Sequence, residues 1–209
     1  VVLWEVRLPS PIDDTPVPAA LDADDAPDIV PVCEDGTLDA VSGRNGEVLW
    51  EVAGENRGPG RLASADLDFD GVLDVVACFE NGGIMAVSGR GAVLWTKPAV
   101  GATGVQGDRD FVFGAEADGT VVAWRRTDGE RAWTQELLRH RNLGTPLVAG
   151  RSVVVGDGNG LLHFLSREDG SHVARVSTDG SAVASVPVLA GNTLVVVTRN
   201  GGVFGFRPE

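Results

Sequence analysis

The chain has 209 residues, 43% of them hydrophobic and 22% charged, with a formal net charge of −13. That length holds one large all-β domain or two small ones, and the balance of apolar and charged residues excludes a disordered chain. The acidic excess argues against nucleic acid or an anionic membrane surface as partner. No apolar run approaches the roughly 18 to 20 residues of a bilayer span, and no signal-peptide pattern occurs, so a soluble chain without membrane insertion is expected.

The chain opens on Val1-Val2-Leu3-Trp4-Glu5-Val6, a strand-like phrase that returns as Val48-Leu49-Trp50-Glu51-Val52 and as Val93-Leu94-Trp95-Thr96-Lys97. Weaker echoes follow at Arg131–Gln135 and His172–Val176. Each later copy closes a run of three strand-like segments, with a period near 40 residues that points to a β-propeller. The first unit, residues 16–52, reads as strands at Pro16–Leu21, Asp28–Glu34, Thr37–Ser42 and Val48–Val52. Its Asn45-Gly46 turn is a strong hairpin signal.

Residues 60–97 repeat this with Leu62–Ala65, Asp74–Glu80, Ile84–Ser88 and Val93–Lys97. The third unit, 101–135, has Phe111–Ala115, Thr120–Arg125 and Arg131–Gln135 behind a degenerate first strand near Thr103–Gln106. The fourth, 143–176, has Thr145–Ala149, Ser152–Gly156, Leu161–Ser166 and His172–Val176, after one helical turn at Glu136–Arg139. The last, 182–209, has Ala184–Leu189, Thr193–Thr198 and Gly202–Arg207, and lacks a fourth strand. The expected fold is therefore all-β: a single five-bladed propeller of four-stranded antiparallel blades. Val1–Val6 joins the last blade to close the ring and protect its edge, giving a monomer.

Trp4, Trp50, Trp95 and Trp133 share one register of the outer strands, where a large ring covers the neighbouring sheet. Trp124, in a third strand, fits either packing or a ligand platform. Cys33 and Cys78 fall one residue out of register in matching strands, so their thiols point to opposite faces and are expected reduced and buried.

The pieces Leu38–Trp50 and Val122–Trp133, each a small residue, a polar turn, Gly and then Trp, resemble the repeat of pyrroloquinoline-quinone (PQQ)-type propellers. The stretch Trp133–His140, Gly144–Val148, Val154–His163 and Glu168-Asp169-Gly170 is similar to the last blades of the BamB family, lipoprotein propellers of the outer-membrane β-barrel assembly machinery. That resemblance implies a protein-interaction role, with Glu116 and Asp118 in the acidic turn region that meets the barrel partner. In the N-terminal half, Asp66-Leu67-Asp68-Phe69-Asp70-Gly71-Val72-Leu73-Asp74 resembles calcium-dependent integrin-type (FG-GAP) repeats. Two lineages in one chain, closing on five blades where the BamB family has eight, imply a chimeric or engineered ring. The natural relatives so implied are periplasmic, outer-membrane or extracellular.

Asp66, Asp68, Asp70 and Asp74, with Gly71 for a positive-φ turn, form an oxygen-rich loop of the kind hard Ca²⁺ requires. These four are the candidate metal ligands, for structural calcium. The matching loop Ala20–Asp28 has Ala20 for the first carboxylate and Asp25 for the glycine, so no metal is expected there. His140, His163 and His172 lack ligand spacing, and no nucleophile triad, Walker or dinucleotide motif occurs, so no enzyme and no catalytic residue is expected. A quinoprotein dehydrogenase would need a longer chain. Acidic pairs such as Asp13-Asp14 read as solvated loops. The loops Arg7–Thr15, Ala53–Gly60, Lys97–Gly104 and Glu136–Gly144 gather at one face, where a protein partner would dock. The alternative from another class is a glycan or small ligand at the pore or between blades.

Overall fold

A computed structural model of the chain describes residues 1–12, 15–22, 24–54, 58 and 60–207. The Asp13-Asp14 pair and part of the Ala53–Gly60 loop lie outside the described residues. Blade one contains β1 (Val17–Ala19), β2 (Asp28–Val30), β3 (Leu38–Val41) and β4 (Val48–Val52). Blade two contains β5 (Gly60–Ala65), β6 (Asp74–Phe79), β7 (Ile84–Val87) and β8 (Val93–Lys97). Blade three contains β9 (Ala102–Gly107), β10 (Phe111–Glu116), β11 (Val121–Arg125) and β12 (Arg131–Gln135). Blade four contains β13 (Leu147–Ala149), β14 (Ser152–Gly156), β15 (Leu161–Ser166) and β16 (His172–Ser177), and blade five β17 (Val188–Ala190), β18 (Thr193–Val197) and β19 (Val203–Phe206). Each blade is an antiparallel meander in chain order, four-stranded in the first four and three-stranded in the fifth.

Alternation along the second and third strands presents one apolar set to the preceding blade and another to the following one. Val30, Val32, Leu38 and Ala40 of blade one meet Val75, Ala77, Phe79, Met85 and Val87 of blade two. Val76, Cys78, Ile84 and Ala86 then face Val112, Val122 and Trp124 of blade three. The pattern recurs between blades three and four around Phe113, Ala123, Val153 and Leu165, and between four and five around Val154, Leu162, Leu194 and Val196. The core is thus four slabs between blades, and each blade depends on its neighbours for burial. Trp124 resolves as packing, since it is fully buried in the second slab.

Four tryptophans staple consecutive units, three from outer strands and Trp4 from the N-terminal segment. Trp50 Nε1 donates to the Gly89 carbonyl at 2.9 Å, Trp95 to that of Arg126 at 2.7 Å and Trp133 to that of Arg167 at 2.9 Å. Trp4 does the same to the Gly43 carbonyl at 2.9 Å. Each indole lies over a positive-φ glycine in the receiving turn: Gly46 under Trp4, Gly91 under Trp50, Gly129 under Trp95 and Gly170 under Trp133. A side chain there would strike the ring, so these turns need glycine for clearance as well as for φ.

The expected closure of the ring is corrected. Val1–Val6 adopts no strand, and blade five ends at β19 with its outer edge unpaired among the described residues. Val203 and Val188 on blade five remain 69% and 60% exposed, so the five blades form an open array. Trp4 keeps Val1–Val6 on blade one, while the curvature is set by the four buried slabs.

Inner strands also differ from expectation. The first strand of the third unit is a full six-residue strand, β9, with a register shift at Ala115/Glu116. Those of blades one, four and five are shorter than expected, starting only after Pro16, Pro146 and Pro187, which cannot donate to a ladder. Glu136–Arg139 is a turn rather than a helical turn, ending on His140 and Asn142 at φ 66° and 52°. The two thiols are free and buried on opposite faces, Cys78 toward blade three and Cys33 away from blade two.

Candidate functional site

Asp74 opens β6 fully buried, and its carboxylate organises the acidic loop. Its Oδ2 accepts from the backbone N–H of Leu67 at 2.7 Å and Asp68 at 3.3 Å, and its Oδ1 from Gly89 N–H at 2.9 Å. Along the loop, Asp68 Oδ1 accepts from Asp70 N–H at 3.0 Å and Asp70 Oδ1 from Val72 N–H at 2.9 Å, a run of Asx turns. Burial raises the Asp74 carboxyl above its ordinary range, with the N–H groups of Leu67 and Gly89 acting against it.

Of the four predicted metal ligands, three converge. Asp66, Asp68 and Asp74 each offer an oxygen within 4.8 Å of the others. Asp66 Oδ1 is buried without a hydrogen-bond partner, the kind of acceptor a cation would satisfy. Asp70, the fourth predicted ligand, pairs with Arg90 at 3.0 Å and stands outside the trio. From the next blade, Arg126 Nη1 donates to the Leu67 carbonyl, and its guanidinium lies 3.6 Å above the Phe69 ring. Phe69 takes φ 63° to reach that position.

The blade-one loop repeats this scaffold. Asp28 is fully buried and accepts from Leu21 N–H at 2.8 Å, Asp22 N–H at 3.3 Å and Gly43 N–H at 3.2 Å. Asp22, Asp24 and Asp28 form a second convergent trio. The signal was available: both hub aspartates lie 15 residues before the glycine that binds them. In blade three the shorter loop carries ion pairs to blade four. Arg167 Nε lies 2.7 Å from Asp108 and its Nη2 2.6 Å from Asp110, and the guanidinium is held above its ordinary pKa, first by Asp108. The Arg167 bond in turn holds the Asp110 carboxyl below its usual range.

The opposite edge of the blades carries the expected docking loops. Glu116, 3% exposed, accepts from Val100 N–H at 3.1 Å and from Arg131 Nη2 at 3.0 Å. Asp118 pairs with Arg139 Nε at 3.3 Å, and its carbonyl accepts from His140 N–H at 2.9 Å. The Glu136–Gly144 loop is thereby fixed on blade three. It displays Leu137, 76% exposed, between Glu136 and Arg139, which are themselves paired at 3.0 Å.

In blade four, at the turn position matching Glu116, buried Asp157 lies 3.0 Å from His163 Nε2 and 3.3 Å from Arg141 Nη1. Burial lowers the His163 pKa against the pull of Asp157. Asp157 is brought below its ordinary range because His163 and the N–H groups of Leu161 and Asn159 outweigh its burial. Sequence spacing could not mark this pair, which forms across a hairpin. A central cavity of about 550 Å³ is lined from every blade, among others by Val17, Leu62, Val105, Thr145 and Val186.

Repeated four-stranded sheets, packed face to face around a common cavity and stapled by outer-strand tryptophans, define a β-propeller repeat protein. A family profile described as outer membrane protein assembly factor BamB matches residues 2–135 and 135–209, and the chain belongs to that family. It is 50% identical over 119 residues to BamB of Burkholderia pseudomallei (strain K96243), a match covering 57% of this chain and 31% of that one. The chain thus spans about a third of the length of this curated relative. The structure is similar to that of BamB from Moraxella catarrhalis, with TM-score 0.72 and 24% identity over 91% of this chain and 57% of that one. It also resembles Saccharomyces cerevisiae Sqt1, with TM-score 0.80 and 12% identity over 93% and 60% of the respective chains. One family spans both halves of the sequence, including the half that carries the acidic loops.

Proposed function

We propose that the chain is a non-catalytic scaffold of outer-membrane protein assembly, acting by protein–protein interaction through the edge that bears the Glu136–Gly144 loop. The observation that carries this reading is Leu137. It is an exposed apolar side chain on a loop held by Asp118, Arg139 and Glu136, within a chain of the BamB family. An apolar anchor ringed by fixed charges is how interface hot spots are built. Pre-fixing the loop lowers the ordering cost of binding. Co-elution of the chain with the purified barrel subunit of the assembly machinery on gel filtration tests the reading. Separate elution at micromolar concentrations would defeat it.

The same reading includes a structural calcium loop at Asp66, Asp68 and Asp74. The unpartnered Asp66 Oδ1 and the converging carboxylates fit a hard cation, which would cross-brace the entry to β6. The expected result is a higher melting midpoint in Ca²⁺ than in chelator, lost in Asp68→Ala. Equal midpoints in the intact protein would remove the metal from the account.

A further inference from the structure

The negative charge is not spread evenly along the chain. Of the 30 Asp and Glu residues, 18 lie before Gly101, against 6 of the 17 Lys and Arg. Blades one and two thus hold almost the whole acidic excess. Part of it faces solvent at one edge, in the loops that join first to second strands: Asp22 and Asp25 in blade one, Asp68 in blade two.

Among these carboxylates, between Asp68 and Asp70, Phe69 is 58% exposed. Its φ of 63° is one that bulky side chains rarely adopt and that glycine takes freely. Among the described residues, the ring belongs to none of the four buried slabs. It is nevertheless fixed. Arg126 of blade three lays its guanidinium 3.6 Å from the ring centroid, and the Arg126 N–H donates to the Asp110 carbonyl at 3.3 Å. The brace between blades does not need the ring, because Arg126 Nη1 also donates to the Leu67 carbonyl. The loop therefore accepts backbone strain to hold an aromatic side chain in water, which stabilises nothing within the chain by burial. A strained residue positioned from a neighbouring blade points to a role at the surface.

We propose that Phe69 anchors a second docking surface, on the edge opposite the Glu136–Gly144 loop, for a basic polypeptide segment. An arginine or aromatic side chain of that segment stacks on the open part of the ring, and its other cations meet Asp22, Asp25 and Asp68. Charge complementarity selects this occupant, since the same field repels nucleic acid and anionic lipid. The ring is already held in place, so little ordering cost remains at this point of contact. The surface involves neither Leu137 nor a bound cation.

A fluorescein-labelled peptide of alternating arginine and tryptophan, titrated with the intact chain in chelator and followed by anisotropy, tests this. Saturable binding is expected, weakened at least about tenfold by Phe69→Gly and unchanged by Leu137→Asp. Glycine suits the backbone at this position, so Phe69→Gly should keep the circular dichroism and cooperative melting of the parent. Phe69→Asn, which also tolerates that φ, should bind as weakly. Parent-like binding by both variants would reduce the contact to net charge and overturn the proposal, as would a peptide that never saturates. Self-association in sedimentation velocity that Phe69→Gly abolishes would overturn it in favour of a second copy of the chain.

Discussion

Trp50 and Asp74, in neighbouring blades, are joined through a single glycine. The Gly89 carbonyl accepts from Trp50 Nε1 at 2.9 Å, while its N–H donates to Asp74 Oδ1 at 2.9 Å. Trp4, Gly43 and Asp28 repeat the relay one unit earlier. The staple between blades and the hub of the acidic loop are therefore one construction, which ties the geometry of each loop to the packing of the preceding unit.

Gly89→Ala tests the relay. An added Cβ would sit 2.4 Å from Val72 Cγ1 and 2.7 Å from the Leu73 carbonyl. Overpacking of this kind costs about 1–3 kcal/mol. Trp50→Phe removes the N–H donor together with part of the ring that covers Gly91, and should cost at least about 1 kcal/mol. Denaturant titration reads both, and equal stability of Gly89→Ala and the parent would contradict the relay.

Arg167 binds blade four to the loop of blade three through Asp108 and Asp110. Arg167→Lys loses the forked geometry and should destabilise by about 2 kcal/mol. The midpoint of chemical unfolding measures this, and a change within about 0.5 kcal/mol would mark the cluster as ornamental.

Blade four should be sensitive to acid. The His163 pKa lies below its ordinary value, so the unfolded chain takes the proton first, and stability is present above about 6.5 and falls as pH drops below it. Asp157 is depressed below the usual carboxylate range, so its contribution is lost only at still lower pH. Arg141 and His172 also face the pair and oppose protonation of His163. The melting midpoint should fall from pH 7.5 to pH 5, and His163→Leu should flatten that fall even though it is less stable at neutral pH.

Burial raises both thiols to about 12, with Asp39 adding to the effect at Cys33 and Glu116 at Cys78. Neither should react with a disulfide reagent at pH 8 in the folded protein, and both should react in denaturant. Rapid native labelling of one thiol would show that its blade opens.

Much of the fold was legible because hairpin turns and period-two alternation are local. The tryptophan register located the outer strands, and the Asn-Gly and Asp-Gly turns located the hairpins. Inner strands were drawn too long where Pro16, Pro146 and Pro187 withhold donors. The closing ladder was misread because residue arithmetic can match two ends without bringing them together, and curvature is a property of four packed slabs. The Asp66–Asp74 loop was visible as a motif, but the diversion of Asp70 to Arg90 depends on a turn 20 residues away. The Asp28 loop shares the buried hub of the Asp74 loop but has Ala20 at the first carboxylate and Asp25 at the glycine.

The central claim is that this chain is a docking scaffold whose contact edge centres on Leu137. Biolayer interferometry of the immobilised chain against the purified barrel subunit tests it most directly. Saturable binding is expected, weakened at least about tenfold by Leu137→Asp and unchanged by Val188→Asp on the far blade. Absence of binding, or equal binding by Leu137→Asp, would contradict the account.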